Sequence, residues 1–414
     1  MVAEQNKWLW FSDTQWVENP LAEEDYDPQA ETRPASHPAL LRAMELHREG
    51  HDNEALIQLG AAEEETQSRA DALGLAGQIL FEQKCFEEAS ESYRKLAEHS
   101  PDHPTAHFNR GVSLARLGQW RDAVECFQRA AVAAPQRTEV WFGLGVSLLH
   151  QRRGAEARAA FQQSLKLRPE HVPTLAGEAV ALQMDKKPLP ALAIYRRLLG
   201  EKAEAPELLA NALAVAVELR ERALVREWAA RLLRADARSR AAWLALATVA
   251  IEAEDFQAGS ECCAKLTENA PDCFEDWYNL GVCYQRLERP EEAFRAFEHA
   301  AGIRPDHAGT LKALAMLAIE RGDVEAGARY HKALGGVSWE IAFQLGLLYQ
   351  DKGLLEEAAE QYREALRRKA DCVEALINLG HVLQGLGRSE EARECWRTAV
   401  QTRPEVAGEY FGKS

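Results

Sequence analysis

The sequence predicts an all-α protein built as a stacked helical solenoid, and three observations predict it. Residues recur 34 apart: Ala55, Ala89, Ala123, Ala157 and Ala191, then Gly77, Gly111 and Gly145, then Pro101, Pro135 and Pro169. Self-similarity at a period of 20–50 residues marks stacked supersecondary units rather than separate globular domains. Within each period the apolar residues fall at i, i+3, i+4 and i+7, one face of a helix. Signals for strand hairpins are missing, since no Asn-Gly or Asp-Gly turn joins alternating runs.

Taken in chain order, residues 1–35 do not fit the repeat. They hold Trp8, Trp10, Phe11 and Trp16, then the run Glu23-Glu24-Asp25-Tyr26-Asp27 among prolines. Acidic residues and prolines disfavour a packed core, yet clustered large aromatics are costly to leave in water. This arm therefore reads as a docking segment through Trp8, Trp10, Phe11 and Trp16. Its docking site is open between a repeat surface of its own molecule, a neighbouring copy and another protein. Eleven registers follow, beginning at 36, 70, 104, 138, 172, 206, 240, 274, 308, 339 and 373. Only the ninth is shortened, by three residues, at Gly335-Gly336. Residues 407–414 read as a short cap or tail. The repeat region is thus 36–406.

Each register predicts a helix, a turn and a second helix that a proline stops. In one, Trp277, Leu280, Gly281 and Tyr284 share a face, Ala293, Phe297 and Ala300 form the next stripe, and Pro305 ends it. The pattern returns as Trp141, Leu144, Gly145, Leu148, Ala157, Phe161 and Pro169, and as Leu376, Leu379, Gly380, Leu383, Ala392, Trp396, Ala399 and Pro404. It resembles the tetratricopeptide repeat (TPR), over about nine-tenths of the chain. The resemblance implies a right-handed TPR superhelix of about eleven helix-turn-helix repeats.

Small residues recur at the eighth and twentieth positions, as in Gly145/Ala157 and Gly281/Ala293. We expect these two positions to face each other where the helices cross closely. The sixth repeat departs, with Leu213 and Val225. Residues 206–239 are therefore where a change of pitch is expected.

The TPR resemblance implies that the first helix of each repeat lines a concave face through its second, fifth, sixth, ninth, twelfth and thirteenth positions. Carried over, the fifth positions include Phe108, Phe142, Tyr278 and Phe343, and the ninth include Val112, Val146, Val180, Val282 and Leu347. So apolar a row, if exposed, marks a binding site. The sixth positions add Asn109, Asn211, Asn279 and Asn378, amides able to pair with the backbone of an extended chain. Gly143, Gly177, Ala245 and Ala313 interrupt them. The carboxylate clamp of some TPR proteins would want Lys where Phe108 and Phe142 stand, so chaperone-tail recognition is not expected.

The formal charge of −16 argues against general nucleic-acid or anionic-membrane binding. It is uneven: residues 1–35 hold eight acids against Lys7 and Arg33, whereas residues 152–240 hold 17 Lys/Arg against 11 Asp/Glu. Opposite charge would steer the arm toward that basic stretch. No apolar run of about 18 residues and no signal peptide are present, which predicts a cytoplasmic protein without membrane insertion. Of the eight cysteines, Cys126, Cys262 and Cys395 share one repeat position and Cys273 and Cys372 another, and no CxxC pair exists. They read as reduced structural thiols, with no metal or cofactor expected. No catalytic motif stands out. The expected function is non-catalytic: an adaptor or assembly scaffold gripping an extended or helical protein segment in the groove. The alternatives are a permanent structural subunit tethered by the arm, a homo-oligomer included, or a regulatory subunit of a separate enzyme.

Overall fold

The computed structural model describes residues 37–63, 69–103, 105–200 and 205–407, which form 22 helices and no strand. The packing divides after Ala237 into two compact units. The first holds α1 (Pro38–Arg48), α2 (Asp52–Ala62), α3 (Arg69–Glu82), α4 (Phe86–His99), α5 (Ala106–Arg116), α6 (Trp120–Ala133), α7 (Thr138–His150), α8 (Gly154–Leu167), α9 (Val172–Met184), α10 (Pro188–Leu199), α11 (Pro206–Glu218) and α12 (Arg222–Ala235). The second holds α13 (Arg240–Glu252), α14 (Phe256–Asn269), α15 (Phe274–Arg286), α16 (Pro290–Ile303), α17 (Ala308–Glu320), α18 (Val324–Ala333), α19 (Trp339–Asp351), α20 (Leu355–Arg368), α21 (Val373–Gly385) and α22 (Ser389–Thr402). Within each unit every helix packs on the one before and the one after it. The aromatic residues Trp8, Trp10, Phe11 and Trp16 lie outside the described residues, as do residues 408–414.

All eleven registers give a helical hairpin whose second helix opens at the seventeenth position. The turn between the two helices has one geometry throughout. The fifteenth residue takes a positive φ, as Gly50, Gly118, Gly322, Gly353 and Gly387 do, and also Lys84, Arg152, Lys186, Arg220, Glu254 and Glu288. The next backbone N–H then donates to a carbonyl five residues back, as Cys85 does to Leu80 and Leu354 to Tyr349, both at 2.9 Å. That bond satisfies a carbonyl the helix end would leave bare. Six side chains thus accept a left-handed backbone that costs roughly 1–2 kcal/mol each.

The small eighth position meets the expected twentieth, as where a Cβ on Gly327 would lie 3.9 Å from the Ala315 carbonyl, and it also has a closer partner. A Cβ on Gly145 would sit 2.5 Å from the Phe161 ring, and one on Gly281 would sit 2.8 Å from the Phe297 ring. Those rings are the twenty-fourth residues of their repeats, four places past the expected twentieth. One helical turn carries the side chain onto the same face, so the aromatic fills the crossing beside the small twentieth residue.

In the sixth repeat the bulk has changed sides: Leu213 stands at the eighth position, Ala229 at the twenty-fourth, and both are buried. The aromatic moves one residue earlier, to buried Trp228. The division after Ala237 falls at the end of this repeat. In the shortened ninth repeat α18 has only 10 residues, and α17 packs directly on α19.

Candidate functional site

The expected row splits by burial. Phe108, Val112, Val146 and Val180 are buried, so the apolar row is closed at these four residues of the first unit. Phe142, Asn109 and Asn211 there are half-buried, as are Tyr278, Asn279, Val282, Phe343, Leu347 and Asn378 in the second unit. The fifth-position rings are held by contacts within their own repeats. The fifth-position aromatics pack edge-on against the twenty-fourth: Phe108 on Phe127 at 5.9 Å between centroids, Tyr278 on Phe297 at 5.7 Å. The last residue of each of these repeats then covers the ring. Arg137 lies 4.3 Å over Phe108, His171 meets Phe142 at 5.6 Å, and His307 meets Tyr278 at 5.1 Å. Their first task is to hold the hairpin together.

Gaps in the amide row are steric. A Cβ on Gly143 would lie 2.7 Å from Phe127, and one on Gly177 2.6 Å from Phe161, rings that belong to the preceding repeats. No asparagine fits either position without displacing an aromatic ring.

In the second unit the row runs along α15, α17, α19 and α21. Half-buried Val282, Met316 and Leu347 occupy the ninth positions, and Asn279, Gln344 and Asn378 the sixth. Among the described residues these three side-chain amides make no hydrogen bond within the protein. Their amide groups are open to partners outside the chain, water included. Asn109 in α5 keeps a buried, unpartnered Oδ1 as well. Lys312, the fifth residue of its repeat, is exposed where the other repeats of this row carry Tyr278, Phe343 and Ile377. Lys312 breaks an apolar pattern rather than making one, so residue spacing does not mark it.

Three of the four second positions in this row are acidic, Glu275, Glu340 and Glu374, and each is already engaged. Arg304 reaches Glu275 at 3.0 Å and Arg403 reaches Glu374 at 2.9 Å. Burial raises the Glu275 pKa, but its own backbone N–H and Arg304 outweigh this and hold it below the usual carboxylate range. Backbone hydrogen bonding does the same for Glu374, and for Glu340 with help from Ser338.

The eight cysteines are all free thiols. Burial pushes Cys262 up to about 11, and the hydrogen bond to Cys283 together with burial raises Cys263 further. No cluster among the described residues has the makings of a metal site, and no described helix is long and apolar enough to cross a membrane.

Fold and row together define a helical-hairpin repeat protein with an amide-and-apolar strip on its first helices. Models of the tetratricopeptide repeat match residues 108–172 and 343–407, and 274–307, and a TPR repeat model matches 77–118. The chain belongs to the tetratricopeptide-repeat family. It is 29% identical over 128 residues to the human (Homo sapiens) tetratricopeptide repeat protein 7A, a match covering 30% of this chain and 15% of that protein's length. Among solved structures, Pseudomonas aeruginosa pilF is 19% identical with a TM-score of 0.43, covering 54% of this chain and 98% of its own. Naa15/Naa10 bound to HypK-THB is 15% identical with a TM-score of 0.38, covering 88% of this chain and 63% of its own. Proteins of this family are generally protein-interaction scaffolds or adaptors.

Proposed function

We propose that the chain is a non-catalytic adaptor that holds an extended peptide segment along α15, α17, α19 and α21. The reading is carried by three half-buried amides without an intramolecular partner, Asn279, Gln344 and Asn378, beside the apolar residues Val282, Met316 and Leu347. An extended backbone offers N–H and C=O groups at regular intervals, which is what a row of amides can satisfy. Exposed Lys312 adds one positive charge to the strip, favouring a ligand with an acid near its middle.

Peptides selected from a random display library on the full chain provide the test. Binding to the intact protein is compared with Asn279→Ala/Asn378→Ala. Each lost hydrogen bond is worth about 0.5–1.5 kcal/mol, so the pair predicts a roughly 5–150-fold weaker Kd. Selected peptides that bind the variant as tightly as the parent would place the working surface elsewhere.

A further inference from the structure

The basic stretch of the first unit is mostly spent on internal contacts. Arg153 pairs with Glu156, Arg168 with Glu139, Arg196 with Glu221 and Arg197 with Glu170. Arg231 is buried and donates to the carbonyls of Leu199 and Gly200. Three of the exposed basic residues that remain lie on α12. Arg222, Arg226 and Arg234 are exposed, and among the described residues none has an ion-pair partner. At 100° per residue, i, i+4 and i+12 spread over about 120° of the helix, one broad face about 18 Å long. Arg220, exposed in the turn just before the helix, extends it.

The register makes these arginines unusual. Arg226 is the twenty-first residue of its repeat. At that position Ser90, Val124 and Leu192 are buried earlier in the same unit. Arg158 of α8 stands at the same position, but it is only part-exposed and lies 3.9 Å from Asp185, so among the described residues α12 alone presents an exposed, unpaired guanidinium there.

We infer that this face receives the acidic segment of a second copy of the chain. Residues 18–31 contain Glu18, Glu23, Glu24, Asp25, Asp27 and Glu31 and no basic residue. They are the strongest opposite charge the sequence holds, and they lie outside the described residues. Reach favours a second copy over the same molecule. From Glu23 to the start of α1 even a fully extended chain spans only roughly 50 Å, so docking in the same molecule would leave it no slack. Five hairpins stacked at about 10 Å each put α12 roughly 50 Å beyond α1. The total charge of −16 makes two copies repel elsewhere, so attraction is confined to this patch.

The test is self-association of the full chain by sedimentation at about 50 and about 500 mM salt. Screening shortens the range of exposed charges, so association is expected at low salt and at least about 10-fold weaker at high salt. R222E/R226E/R234E and, separately, E23K/E24K/D25K should each remain monomeric at low salt. Mixed together they should associate again, because each supplies the charge the other has lost. A parent chain that is monomeric at low salt overturns the inference, as does association that survives the arginine substitutions. Mixed variants that stay apart exclude residues 18–31 as the occupant.

Discussion

At the scale of single residues, this fold depends on where a Cβ is absent. Gly281 lies against Phe297, and Gly145 against Phe161, at separations a methyl group cannot share. Gly281→Ala should therefore cost about 1–3 kcal/mol, because a buried ring has to leave its rotamer or the helices must part. Urea denaturation checks this, and an unchanged midpoint would mean that the Phe297 ring swings aside freely. A glycine in an exposed turn, such as Gly353, has nothing within 4 Å and acts only through its φ of 75°.

At the scale of the element, the eighth and twenty-fourth positions behave as one volume shared between two helices. Small faces aromatic in Gly145/Phe161, Gly281/Phe297 and Gly346/Tyr362, and in the sixth repeat large faces small. Leu213→Gly and Ala229→Phe should each destabilise by about 2–4 kcal/mol, one by a cavity and the other by overpacking. Combined, they rebuild the common arrangement, so the double variant should be more stable than the sum of the two losses. A double-mutant cycle with no coupling would show that Leu213 and Ala229 do not share that space. Tyrosine at the twenty-fourth position adds a polar tie, as in Tyr362 Oη donating to Gln350 at 2.8 Å.

For the molecule as a whole, buried histidines set the response to acid. Burial lowers the pKa of His107, His171 and His331, opposed at His331 by Glu364 and aided by Arg368. His331 is 5% exposed and neither ring nitrogen has a hydrogen-bond partner in the protein. With the folded pKa below the ordinary 6.5, the unfolded chain binds more protons there. Stability is therefore full above that value and falls as pH drops through and below it. Glu275, Glu340 and Glu374 are also held low, and they add their loss only below 4.5. Between these limits the histidines dominate the slope. His331→Leu follows Leu59, the twenty-fourth residue opposite Ala43 in the first repeat, both fully buried. The change should raise stability by about 1–2 kcal/mol by removing unpaired polar atoms. It should also flatten the decline from about pH 7.5 to about pH 5. Denaturant titrations of parent and variant at both pH values decide it, and parallel slopes would assign the acid response elsewhere.

The sequence by itself determined the class and the spacing of the eleven registers. A repeat writes its period directly into the spacing of Ala, Gly and Pro, and local turn geometry then sets where each second helix opens. It also marked the sixth repeat as different, through Leu213. Only the tertiary structure decided which side of the eighth position is crowded, because the twentieth and twenty-fourth residues share a helix face and spacing cannot separate them. It decided too that Val112, Val146 and Val180 are closed while Val282 and Leu347 stay half open. All are aliphatic residues at one register. Burial depends on the rings and chain ends of neighbouring repeats, and these are not written at the position itself.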